Sequence, residues 1–478
     1  MATFVSTRQN RGPAATWNDV LLCGYAPDGG LFVPASVPAI PLETLKTWKN
    51  LSHPEICKKI LRCYFTEDEL PHATFEETIS KAFDSFAHPD VIPVVRAGHA
   101  HVAELFHGPT GSFKDVALSV YGKIVENHLE TTRRRVTILN STTGDTGSAA
   151  IRSVLGGTRV RIVVMYPAGK ISDIQELQMA TVDAPNVKVF RVDGTSDEID
   201  GVVKTLFCDE EFGREQSLGS FSSINVGRLV CQIAHFFYIY LKTCVDVGDE
   251  VLVAIPTGGG GHIVTGTIAT RMGLPLKFLL ATNENDTATR AIEEGTIDTS
   301  GDIIPTYACA MDGNLPYNIE RLLYFHSNDA GTIIRKQMSQ LETTGGLELE
   351  QDQVQSLQSQ IWSHSVSQEN ILETMRRYHA DHAYLPCPHT ATALYAMDRF
   401  LATPAAQKRL FPNGGPLPPI VCLATATPAK FPDVVEKAGL PVPRPESFAK
   451  LYHLPKKNRL LEREWVDSLK KAIREFDS

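Results

Sequence analysis

The chain has 478 residues, 43% of them hydrophobic and 21% charged, and carries a net charge of −9. That length and apolar share predict two or three globular domains with a large core. The mild acidity argues against a nucleic-acid binder, which shows a basic surface, and leaves room for a local cationic pocket.

The nine cysteines are an odd number without a CxxC pair. No disulfide framework or zinc site is expected, and a reducing compartment, the cytoplasm, is the natural location. The opening MATFVSTRQNRGPAATW has no long apolar core, so no secretory leader is expected. Residues 1–95 mix the turn APDGG with short helical patterns such as PEICKKILRCYF. Alternation would put His99 and His101 on one strand face near His107, but no further ligand completes a site, so no metal is expected.

From residue 136 the pattern changes. VTIL (136–139), RIVVMYP (161–167) and VKVFRVDG (187–194) are short β-branched runs separated by the helix-like GSAAIRSVLGG and SDIQELQMATV. LVCQIAHFFYIYL (229–241) is shorter than a bilayer span and holds Gln232 and His235, so it reads as a buried core helix and no membrane is expected. A second series follows: EVLVAIP (250–256), a glycine run, HIVTGTIATRMG and LKFLLATN (276–283). Strands alternating with helices at this spacing predict an α/β protein built of βαβ units, its mostly parallel sheet covered on both faces. EEGTIDTSGD (293–302) reads as a solvated loop and 340–380 as a solvated helical region. PIVCLATATP (419–428) returns to strand character, and the tail reads as a charged helix. The expected units are an N-terminal domain (1–95), a smaller α/β domain on the substrate side (96–228), a larger cofactor domain (229–445) and a helical tail (446–478).

Three junctions carry chemistry. In IPTGGGGHIVTG, four glycines join a strand to a helix, where bare N–H groups bind phosphate; a flexible turn explains the stretch equally well. LNSTTGDTGSAAI concentrates hydroxyls and backbone donors at another strand–helix junction, which fits a carboxylate site or an ordinary helix cap at Thr143 or Asp145. Lys114, in GPTGSFKD, is either a surface lysine starting a helix beside Asp115 or a desolvated amine able to form an imine. Together a reactive lysine, a phosphate loop and a hydroxyl-rich loop are the parts that hold pyridoxal phosphate. Cys387 beside His389 fits structural packing better than a thiol nucleophile, since no orienting partner is in view.

The blocks LFHGPTGSFKD, STTGDTGSAA, SDIQELQM, SSINVGRLVCQ, IPTGGGGH, RMGLP, ATNEND, PHTA and ATATPAKF resemble the signatures of threonine synthases, in order from residue 4 to about 440. That resemblance implies a tryptophan-synthase-β-like, fold type II enzyme that uses pyridoxal 5'-phosphate. It implies Lys114 as the lysine that bonds the cofactor. Gly258, Gly259, Gly260, Gly261 and His262 take the phosphate loop, where the family usually reads GNFGD. Thr425 matches the hydroxyl facing the pyridine nitrogen. Asp145 falls near the cofactor hydroxyl, Thr143 and Thr146 near the substrate carboxylate. Asn225 and Arg228 are candidates for the substrate phosphate, from charge and position.

Three departures, CPHTA with Cys387 for the usual acid, GTSDEID (194–200) and YNIER (317–321), look more like the animal phospho-lyase branch, threonine synthase-like protein 2, than the biosynthetic enzyme. The expected activity is elimination of phosphate from O-phosphohomoserine or O-phosphothreonine to give 2-oxobutyrate and ammonia. Threonine synthesis, and a non-catalytic binding relative, are the alternatives. The expected partner is a small phosphorylated amino acid, with a homodimer as the assembly.

Overall fold

Alternation within each short β-branched run decides which core its side chains enter. In the strand Val251–Pro256, Val251, Val253 and Ile255 enter the core that holds the helix Val226–Thr243, while Leu252 and Ala254 face the helix Pro388–Leu401. Both faces are covered, which is why the run is apolar throughout. The computed structural model describes residues 2–9 and 14–476; part of the opening segment read for leader character lies outside them.

Two sheets carry the fold. The larger has six strands in the order 361–365, 276–282, 251–256, 420–424, 100–104, 94–97, parallel except for the last pair. The smaller has five parallel strands in the order 459–460, 187–192, 160–167, 136–141, 218–219. The helix Val226–Thr243 is buried at every position except Lys242 and packs on the helices His53–Arg62, Lys114–Thr132 and Gly261–Arg271. No helix among the described residues is long and apolar enough to cross a membrane.

Several local expectations are corrected. The region 340–380 is not helical throughout: Ile361–Ser365 is an edge strand of the large sheet, beside Phe278–Thr282. Polar neighbours and a single pairing partner left that strand little sequence signal. Residues Thr296–Asp298 form a small antiparallel pair with Gly346–Glu348 rather than a loop. His99 lies in the turn before the strand Ala100–Glu104, off the face that carries His101. No group of side chains suited to a metal occurs among the described residues.

The strands at 94–104 join the larger sheet, not the smaller one. The tail returns to the smaller sheet through Arg459–Leu460 and buries Leu461, Leu469 and Ile473 against Phe190 and Val192. N-terminal helices share one core with the central helix, so 1–95 has no separate interior.

Candidate active site

Asp115 shapes the turn that presents Lys114. Its carboxylate accepts hydrogen bonds from the backbone N–H and the Oγ1 of Thr110, both at 2.8 Å, folding GPTGS back on the helix start. Gly108 permits that contact, because a Cβ there would stand 2.4 Å from the Asp115 Cβ. Phe113 N–H donates to the Thr425 carbonyl at 2.8 Å, tying the turn to the end of the strand Ile420–Ala424. Lys114 therefore begins its helix at a strand end of the large sheet, where open α/β sheets bind ligands.

The Lys114 amine lies 3.2 Å from the Asp145 carboxylate, and its side chain is 12% exposed. Burial lowers its pKa, with Asp145 opposing and Arg228 and Lys430 reinforcing the shift. Asp145 opens the helix Asp145–Val154 and also meets the Lys430 amine at 2.9 Å and Gln175 Nε2 at 2.9 Å. Burial alone would raise this carboxyl, but Lys430 and Lys114 overcome it and hold it well below the usual range.

The glycine loop runs from the strand Val251–Pro256 to the helix Gly261–Arg271. Gly260 adopts φ +75°, a left-handed conformation that glycine takes without strain. Asn318 pins the loop: its N–H and its Nδ2 both donate to the Gly259 carbonyl, at 3.1 and 3.0 Å. The first N–H groups of the following helix lack intrahelical partners, the arrangement by which helix N-termini attract anions.

One cavity joins these parts. Lys114, Thr143, Asp145, Thr146, Arg228, Gly258 to Gly261, His262 and Thr425 all line it. Thr143 Oγ1 donates to the Ala310 carbonyl at 3.2 Å. Asn225 is not brought there. It is fully buried, its Oδ1 caps the helix Val226–Thr243 by accepting from Gly227 N–H, and its Nδ2 donates to the Leu21 and Cys23 carbonyls. Its hydrogen-bonding capacity is spent on the fold. Arg228 is 3% exposed, donates to the Phe221 carbonyl, and keeps a buried Nε without a partner. Burial pushes it down to about 10.

Sequence reasoning missed several residues of this cavity. Lys430, in ATATPAKF, is fully buried and holds Asp145; the lysine inside an apolar block was the available signal. Asp197, Asp200 and Asp312 also line the cavity. Asp200 accepts from Ser141 and from Tyr317 Oη, and burial raises it to about 6. Cys387 caps the helix Pro388–Leu401 with its sulfur, a structural role, and His389 Nε2 accepts from Ala310 N–H at 3.1 Å.

Rat threonine synthase-like 2 is 36% identical over 477 residues, spanning 98% of this chain and 96% of its own length. The chain belongs to the threonine synthase family. The family described as "Threonine synthase N terminus" matches residues 3–83, and "Threonine synthase, C-terminal" matches 390–473. Threonine synthase of Saccharomyces cerevisiae is 32% identical, covering 99% of this chain and 97% of that protein. The crystal structure of PLP-bound threonine synthase from Brucella melitensis superposes with a TM-score of 0.89 at 30% identity, covering 100% and 99% of the two chains. The fold is thus fold type II, as expected.

Pyridoxal 5'-phosphate is the cofactor of this threonine synthase family member, and the residues present fit it. A desolvated amine, that of Lys114, lines the cavity. Arg228 Nε and His262 Nδ1 are buried polar atoms without a protein partner. Gly258 leaves no room for a side chain, since a Cβ there would stand 2.8 Å from the Met311 Cα. Lys114 would bond the aldehyde carbon, the loop would hold the phosphate, and Thr425 would face the ring nitrogen.

Proposed function

We propose that this protein is a phospho-lyase that removes phosphate from O-phosphohomoserine, O-phosphothreonine or both, giving 2-oxobutyrate and ammonia. The observation that carries the reading is the desolvated Lys114 amine paired with Asp145 beside the glycine loop. Identity of 36% to threonine synthase-like 2, against 32% to the yeast threonine synthase, supports the lyase branch.

Bound pyridoxal phosphate supplies the electron sink for charge developing at the substrate Cα. Lys114 Nζ, whose hold on its proton is weakened by burial, takes the Cα proton and returns protons later. Asp145 keeps the amine aimed, and Lys430 keeps Asp145 ionised while Lys114 changes charge. Thr143 and Thr146 offer hydroxyls to the α-carboxylate. Arg228 supplies a cation to the departing phosphate. With O-phosphohomoserine a proton leaves Cβ, the Cγ–O bond breaks and its electron pair departs with phosphate. Hydrolysis of the unsaturated amine then consumes one water and yields 2-oxobutyrate and ammonia. O-phosphothreonine reaches the same products by losing phosphate from Cβ. Thr425, which lines the cavity, would present a hydroxyl to the ring nitrogen and so disfavour side reactions such as transamination.

The test incubates the cofactor-loaded protein with each phosphorylated amino acid and quantifies 2-oxobutyrate, ammonia and threonine. Excess 2-oxobutyrate supports the lyase. Excess threonine would assign the synthase instead, a reading favoured by the whole-chain match to yeast threonine synthase. A protein that takes up no cofactor would assign a non-catalytic binding role. The reading keeps the expectations of a cytoplasmic enzyme and a homodimer, the latter to be measured by sedimentation.

A further inference from the structure

His262 follows the glycine loop directly and stacks on Phe113, with ring centroids 4.4 Å apart and planes 19° apart. Its Nε2 lies 2.8 Å from the Nε2 of His235, on the central helix. The two rings meet edge to face at 88°. His235 is 0% exposed and His262 5%, and the Nδ1 of each is buried without a partner. Nothing in the reaction described above uses this pair.

Two ring nitrogens at 2.8 Å share one hydrogen. Burial keeps both rings neutral: it pushes His262 down to about 3, with Lys114 and Arg228 adding to the effect, and holds His235 well below the usual imidazole range. His53, itself pushed down to about 3 by burial, stands beyond His235. Among the described residues, no carboxylate is one of the charged groups acting on either ring. Each neutral ring carries one N–H. If one ring donates through Nε2, the accepting ring must hold its hydrogen on Nδ1. His262 lines the cavity at the helix N-terminus, where an anion requires donors, whereas His235 lies in the core.

We propose that His235 is a positioning residue. It donates its Nε2–H to His262 and thereby fixes His262 as the Nδ1–H tautomer, a neutral donor to an oxygen of the cofactor phosphate. The inference rests on cofactor binding alone and is independent of whether 2-oxobutyrate or threonine is produced. A neutral donor serves the phosphate without depending on pH, and the histidine core partner supplies what the glycine loop lacks in side chains.

The experiment titrates pyridoxal phosphate and unphosphorylated pyridoxal onto the apo-protein and reads bound-cofactor absorbance and the phosphate 31P resonance. His235→Phe is expected to weaken pyridoxal phosphate at least tenfold and pyridoxal less than twofold. His235→Gln keeps an N–H donor and is expected to recover affinity to within about threefold of the parent. Equal losses for both ligands, or equal losses for Phe and Gln, would overturn the proposal. Should His235→Phe not fold, the tautomer decides: 15N-labelled histidine in the unmutated holoprotein must show Nδ1–H at His262, and Nε2–H there would overturn it. His262→Phe must likewise lower the preference for the phosphorylated ligand; an unchanged preference would refute the assignment.

Discussion

Lys430 Nζ stands 2.9 Å from one oxygen of Asp145, while Lys114 occupies the other oxygen at 3.2 Å. One carboxylate thus serves two buried amines, of which Lys114 is the one proposed to bond the cofactor. When Lys114 changes its charge, Asp145 keeps a cation and stays ionised. Lys430 also donates to the Thr110 carbonyl, so the same amine links the carboxylate to the turn that presents Lys114.

Replacing Lys430 with Met leaves a buried carboxylate short of a partner. Breaking a buried pair from one side costs about 3–5 kcal/mol. Urea unfolding of Lys430→Met at pH 7 should show a loss of that order. An unchanged midpoint would mean that Asp145 is satisfied by Lys114 and Gln175 alone.

Lys114→Met should behave in the opposite way in the apo-protein. Burial lowers the Lys114 pKa, so the folded state binds fewer protons than the unfolded one below the ordinary lysine value. Stability therefore rises with pH across that window, and at neutral pH the charged amine is a burden. The variant is expected to lose bound-cofactor absorbance while melting at the same or a higher temperature, with a gain of about 1 kcal/mol. Retained visible absorbance would remove Lys114 from its assigned role.

Gly108→Ala tests the turn. The added methyl would stand 2.4 Å from the Asp115 Cβ, which has no room to yield inside a helix. Overpacking of this kind costs about 1–3 kcal/mol and should shift Lys114 with it. Differential scanning calorimetry and cofactor affinity should both fall; a loss of stability without a loss of affinity would separate the turn from the site.

Asp200 carries a pH signature. Burial raises its folded pKa to about 6, with Ser141 and Tyr317 opposing. A carboxyl raised on folding favours the folded state below the unfolded value of about 3.9, and that advantage is lost as pH rises through about 6. Asp200→Asn has no such group. Its melting temperature relative to the parent should therefore climb from pH 4 to pH 8, whereas parallel profiles would place Asp200 in ordinary solvent.

Asp145 predicts the opposite trend on the acid side. Its folded pKa is depressed, so its stabilisation is present above the unfolded value near 3.9 and vanishes as pH falls further. Asp145→Asn should flatten acid unfolding of the apo-protein below pH 4, as followed by circular dichroism.

The sequence by itself determined the α/β class, three strands of each sheet, the buried central helix and the glycine run between a strand and a helix. These are legible because their causes are local: β-branched alternation, apolar helical spacing, and glycines at a strand–helix junction. Tertiary structure alone decided what depends on partners distant in the chain. It spent Asn225 on a helix cap and on carbonyls some 200 residues away, although its position near Arg228 suggested a ligand. It drew the strands at 94–104 into the larger sheet and returned the tail to the smaller one. It brought Lys430 to Asp145 across 285 residues and set His235 against His262. A buried charge or imidazole takes its role from what surrounds it, and only the folded chain brings those surroundings together.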